Sequence, residues 1–155
     1  MDPFDPVNAL LERIRAAATS QHKPVLRVRG SGSKDFLGAG LRGEVIDTCA
    51  LSGIINYEPS ELVVTVLTGT PLRELERALA ASHQHLAFEP PHFGTGTTVG
   101  GMLASGLSGP ARATAGAVRD FVLGARLING LGEHLTFGGQ VIKNVAGYDL
   151  SRLLC

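Results

Sequence analysis

Residues Pro90 to Ala111 read PPHFGTGTTVGGMLASGLSGPA. The stretch is 22 residues long and has no Asp, Glu, Lys or Arg. It contains six glycines, three prolines, three threonines and two serines; the longer apolar side chains are few, chiefly Val99, Met102, Leu103 and Leu107. Its length matches a bilayer span of about 20 residues, but its composition does not, because an irregular glycine-rich backbone would leave amides unpaired in lipid. Glycine at this density means that the backbone approaches something closely, or takes positive φ, at several successive points.

Two readings follow. One is a surface loop between packed elements. The other is an uncharged wall of hydroxyls and N–H groups against a large, flat, mostly neutral ligand with a polar tail, as a flavin dinucleotide is. Thr98 to Leu107 is expected to hold a short helix whose TVGG start points its amides at that ligand.

Upstream, Asp5-Pro6 caps a helix with Val7, Leu10, Leu11 and Ile14 on one face, closed by Lys23-Pro24. Val25 to Val28 is a strand that runs into Arg29-Gly30-Ser31-Gly32-Ser33-Lys34. Small residues after a strand, followed by a lysine, suit an anion cradle of converging amides; the same letters also suit a linker. Gly38-Ala39-Gly40-Leu41-Arg42-Gly43 matches GxGxxG but is followed by a strand (Glu44 to Thr48), not a helix, so it is not a dinucleotide fingerprint of the Rossmann kind. Leu62 to Leu67 is a strand. Thr70-Pro71 caps a second helix that buries Leu72, Leu75, Ala78 and Leu79, and His85 to Phe88 is a short strand.

Downstream, Val118 to Ile128 is largely strand, Asn129 to Gly132 is a hairpin turn, and Glu133 to Phe137 returns. A last helix is capped by Asp149 or Ser151, with Leu150, Leu153 and Leu154 on one face. Fourteen basic and fourteen acidic side chains cancel, no basic stripe exists, and nucleic acid is not an expected partner. Cys49 and Cys155 form no disulfide framework. His83 and His85 lack a third metal ligand at useful spacing, and no GxSxG nucleophile elbow exists at Ser105. No metal is expected, and no residue of the chain is assigned as catalytic. The N-terminus is acidic and amphipathic, neither signal nor anchor, which suits a cytoplasmic protein.

RGSGSKDFLG, TTVGGMLASGLSGP, VRDFVLGARLINGLGEHLTFGG and VIKNVAGYDLSRLL occur in the order and approximate spacing of the PCMH-type FAD-binding flavoproteins, the vanillyl-alcohol oxidase group. Nearly the whole chain resembles that family, and within it the FAD-binding subunits of bacterial glycolate oxidases. The resemblance implies an α+β fold with two subdomains: an α/β-like first one over 1–90, a glycine-rich FAD-contacting segment over 91–117, and an antiparallel second one that opens over 118–155 and is incomplete, with no substrate-covering cap. It implies FAD contacts at Arg29, Gly30, Ser31, Gly32, Ser33 and Lys34 around the pyrophosphate, at Thr98, Val99, Gly100, Gly101, Ser105 and Gly106 beside the ribityl chain and ring, and at Gly116, Arg119 and Asp120 at the subdomain junction. Lys143-Asn144 and Gly147-Tyr148-Asp149 match a segment that mainly closes the domain. Ser33 stands where covalent members often carry histidine, so the FAD is expected to be non-covalent. The implied activity is oxidation of glycolate or a related 2-hydroxy acid. Electrons would pass to a second flavoprotein subunit and an iron–sulfur subunit, through which alone the chain would meet a membrane. The alternatives are a non-catalytic scaffold subunit, or the same scaffold acting on D-lactate or a sugar lactone.

Overall fold

A computed structural model describes residues 5–38, 40, 42–139 and 152–155. The first helix, α1 (Asp5–Thr19), forms as its 3.6-residue apolar period requires, with Ile14 buried. It ends one turn short of Pro24, and Lys23 takes a left-handed φ of 39° before the next strand.

Strand β1 (Leu26–Arg29) pairs in parallel with β2 (Glu44–Asp47). Parallel neighbours need a crossover, and here residues 30–43 supply it. The first loop is therefore the connection that the strand pairing forces to arch over one end of the sheet. Thr48 fixes its root by donating its N–H to Arg29 O at 3.0 Å.

β3 (Ile54–Glu58) pairs antiparallel with β4 (Val63–Val66) through a register shift between Ile54 and Asn56. The sequence reading did not include β3. Between its two strands lies a tight 3₁₀ turn over Pro59–Glu61, closed by Leu62 at a φ of 58°. The fourth strand expected in this half, His85 to Phe88, does not form: Phe88 turns into the core, and Glu89 donates a lone backbone bond to Ser108 O.

Helix α2 (Leu72–Ala81) buries Leu72, Leu75 and Leu79. Its cap differs from expectation. Thr70 does not cap it; its Oγ1 accepts from Gly53 N at 2.9 Å and donates to Gly53 O at 3.2 Å, tying β3 to the start of α2.

The glycine-rich stretch yields α3 (Val99–Ser105), with Thr98 as N-cap accepting from Gly101 N at 3.1 Å. Gly106 ends it at a left-handed φ of 61°. Val99 and Met102 join Leu72, Leu75, Leu79, Phe88 and Val118 in the core, so α3 lies against α2. A single helical turn, α4 (Arg112–Ala115), follows. Val118 to Asp120 is a 3₁₀ turn rather than strand, and the expected hairpin forms from β5 (Gly124–Ile128) and β6 (His134–Gly138). Arg15 of α1 donates to Gly132 O in the hairpin turn, joining the two ends of the described chain. Residues 140–151 lie outside the described residues, and with them Lys143-Asn144, Gly147-Tyr148-Asp149 and the start of the expected last helix, Asp149 to Ser151; Arg152–Leu154 form a 3₁₀ turn.

Candidate functional site

A groove of about 270 Å³ opens where the loop after β1 meets α3. Arg29 to Asp35 form one wall; Thr98, Gly101, Ala104 and Ser105 form the other; Val28 and Leu37 line it as well. On α3, positions 101, 104 and 105 are the i, i+3, i+4 set that one helix face presents.

The loop is anchored from below. Phe36 meets the Phe93 ring edge-on at 5.1 Å between centroids. Thr97 Oγ1 lies 3.5 Å from Ser33 Oγ, and Thr97 is buried. Gly30 presses on Thr98: a Cβ at 30 would lie 2.9 Å from its Oγ1. Gly32, at a φ of 76°, lies directly over the Arg29 guanidinium, which a Cβ there would strike.

Charge in the groove is unevenly satisfied. Arg29 Nε and Nη2 both donate to Asp35 Oδ2, at 2.8 and 2.7 Å. That hydrogen bond, reinforced by charge attraction, raises the Arg29 pKa and lowers that of Asp35. Arg29 is therefore a loop brace already matched to a carboxylate. Lys34 has no such match. Its Nζ is shielded from water yet has no hydrogen-bond partner among the described residues. The side chain as a whole is only half-buried, so the cover over the nitrogen is thin. Loss of water lowers its pKa. Its nearest compensation is the face of Phe93, with Nζ 5.6 Å from the ring centroid.

The backbone amides of Ser31, Gly32, Ser33 and Lys34 donate to no group among the described residues. The start of α3 is the reverse of expectation. Val99 N donates to Thr70 O, Gly100 N to Thr68 O and Gly101 N to Thr98 Oγ1. These amides hold the helix in the fold and do not point at a ligand. The open amides belong to the loop.

The expected site residues divide accordingly. Arg29, Gly30, Ser31, Gly32, Ser33, Lys34, Thr98, Gly101 and Ser105 come together around the groove. Val99 lies in the core, and Gly100 packs on Thr68, where a Cβ would lie 2.8 Å from Thr68 Cβ and 2.9 Å from its carbonyl oxygen. Gly106 and Arg119 line a separate cleft of about 100 Å³ with Arg112, Ala117, Val118 and Cys155. Gly116, at a φ of 102°, and Asp120, whose Oδ2 accepts from Ala117 N at 2.8 Å, close the turn behind that cleft. Val28, Asp35, Leu37 and Ala104 line the groove without having been anticipated; for Ala104 the helical spacing from Gly101 was the available signal.

Among the described residues the groove holds an ammonium and four backbone amides without an acceptor, and its lining carboxylate, Asp35, is bound to Arg29; such a set can neutralise an anion. The set fits the diphosphate of a dinucleotide. Residues 7–138 match the family described as FAD binding domain. The chain belongs to that FAD-binding family. Its cofactor is FAD, and its fold is the α+β PCMH-type FAD-binding fold.

Over 146 residues the chain is 53% identical to glycolate oxidase subunit GlcE of Escherichia coli, covering 94% of this chain and 41% of that protein. It is 39% identical over 87 residues to a D-lactate dehydrogenase of Archaeoglobus fulgidus (56% of this chain, 19% of that one). It is 28% identical over 136 residues to glycolate oxidase subunit GlcD of Bacillus subtilis (86% and 29%). An alkyldihydroxyacetonephosphate synthase, at 19% identity, shares the fold with a TM-score of 0.68 over 95% of this chain and 26% of its own. The chain thus spans about two fifths of GlcE and less of the others. No helix among the described residues is long and apolar enough to cross a membrane.

Proposed function

We propose that this chain is the FAD-holding part of a subunit of a 2-hydroxy-acid oxidoreductase that converts glycolate to glyoxylate. The FAD is non-covalent, and its diphosphate is the part held in the groove between the β1 loop and α3. The observation that carries the binding half is the unpartnered Lys34 ammonium beside four open loop amides. The substrate half is supported by 53% identity to a glycolate oxidase subunit.

On this reading residues 1–90 form the first subdomain, 91–117 the FAD-contacting segment and 118–155 the opening of the second. Arg29 braces the loop, Lys34 and the amides of 31–34 neutralise the diphosphate, and Thr98, Gly101 and Ser105 form the opposite wall. Gly106, Gly116, Arg119 and Asp120 shape the neighbouring cleft, and Val99 and Gly100 set the position of α3. The flavin, when bound, would supply the two-electron redox chemistry. The chain's residues hold and orient it and keep its phosphates out of water. Electrons then leave through a second flavoprotein subunit and an iron–sulfur subunit, and the complex works in the cytoplasm.

A D-lactate specificity on the same scaffold is the competing reading, supported by the 39% identity to a D-lactate dehydrogenase. The test is to isolate the native assembly through a tag on this chain and follow the flavin's blue absorption band without oxygen. Bleaching by glycolate in preference to D-lactate supports the proposal. Preference for D-lactate favours the competing reading, and flavin that neither acid bleaches, or no flavin, contradicts both.

A further inference from the structure

Lys34 is the residue of the groove whose state is incomplete. Its Nζ is shielded from water and unpartnered among the described residues. A side chain at Gly101 would begin 3.7 Å from it, so it lies across the groove floor against α3. Among the described residues, the charged groups near it are engaged elsewhere. Asp35, the acid lining the groove, is bound to Arg29; His92, next to Phe93, is bound to Glu76 at 2.9 Å; α3 has no charged side chain. An ammonium without water or a counter-charge is unfavourable, and it becomes favourable once an anion enters.

We propose that Lys34 is the specificity-determining residue of the groove: it makes binding depend on the ligand's phosphate charge rather than on its ring system, and it leaves the ligand-free chain less stable than a chain without that charge. The proposal rests on the FAD reading only for the ligand's identity. Two consequences follow together. Removing the charge weakens a phosphate ligand and stabilises the empty chain, whereas a residue needed only for packing would lower both.

The test compares the chain with Lys34→Met, which keeps the apolar stem, and Lys34→Arg, which keeps the charge. Each is melted alone and with inorganic pyrophosphate, ADP, riboflavin or FAD, and pyrophosphate and ADP affinities are measured by calorimetry. Lys34→Met is expected to melt higher than the unaltered chain when empty and to bind pyrophosphate and ADP about ten- to a hundredfold more weakly, the loss of one charge-assisted bond. Lys34→Arg is expected to retain most of the affinity, and riboflavin to act equally on all three. Unchanged affinity in Lys34→Met, a lower melting point of its empty form, or no response of the unaltered chain to pyrophosphate and ADP would each overturn the proposal. A chain that responds to pyrophosphate through Lys34 but not to FAD would leave the proposal standing and sink the flavin reading instead.

Discussion

Gly100 and Gly101 are consecutive in the chain and meet different neighbours. A Cβ at 100 would press into Thr68, 2.8 Å from its Cβ and 2.9 Å from its carbonyl oxygen, whereas one at 101 would lie 3.2 Å from Thr98 Oγ1 and 3.7 Å from Lys34 Nζ at the groove. Gly100→Val is therefore expected to destabilise the fold by about 1–3 kcal/mol, as overpacking does, read by urea denaturation without ligand. Gly101→Leu is expected to hold stability within about 1 kcal/mol, since a good helix former replaces glycine, while FAD affinity falls. The reverse pattern would mean that α3 presents its other face. Composition marks both residues as close approaches; it does not say to what, because Thr68 lies over thirty positions upstream. Nor can the sequence show that Asp35 is bound to Arg29 and Lys34 is not. The Arg29 guanidinium holds the Asp35 carboxyl below the usual carboxylate range. Its folded pKa is depressed, so the pair adds stability above the ordinary carboxylate pKa and loses it as pH falls through that range. Asp35→Asn is expected to flatten the acid side of the stability–pH curve and to loosen the loop. An unchanged acid limb would show that the pair contributes nothing in solution.

Helix α3 is the element that brings the two walls together. Thr98 caps it, is 5% exposed and meets Gly30 of the facing loop. Thr98→Ala is expected to cost about 1 kcal/mol through the lost cap, measured by denaturant unfolding, and to weaken FAD binding as well. Thr98→Ser should recover most of the stability, because Oγ is kept. The existence of this helix was legible in TVGGMLASG as a local preference, although it stops at Gly106 rather than running to the expected Leu107. The direction of its amides was not, because their acceptors, the carbonyls of Thr68 and Thr70, come from another part of the chain. The same limit accounts for both errors in the strands. IINYE has a bulge where it pairs, which breaks the two-residue alternation; HLAF alternates well, but Leu86 and Phe88 pack on α2 and α3 without a partner strand.

At the scale of the molecule, the motifs carried more than the periodicities. Among the described residues the strands form three separate two-stranded sheets, which are not deducible from strand signals, because two strands make a marginal sheet and nothing local selects the partner. Four glycine-bearing motifs in a fixed order carried the resemblance to the family, which residues 7–138 bear out. The core supports this frame through α2: Leu75 is 2% exposed, and Leu75→Ala is expected to cost about 2–5 kcal/mol, read as a lower melting point with a parallel loss of bound FAD. If the chain holds FAD non-covalently by its diphosphate in the β1–α3 groove, equilibrium titration of FAD against the purified chain, with ADP as competitor and acid release at the end, is expected to show one saturable site per chain, displaced by ADP, with all flavin freed by acid. No saturable binding, binding indifferent to ADP, or flavin that stays on the denatured chain would contradict it.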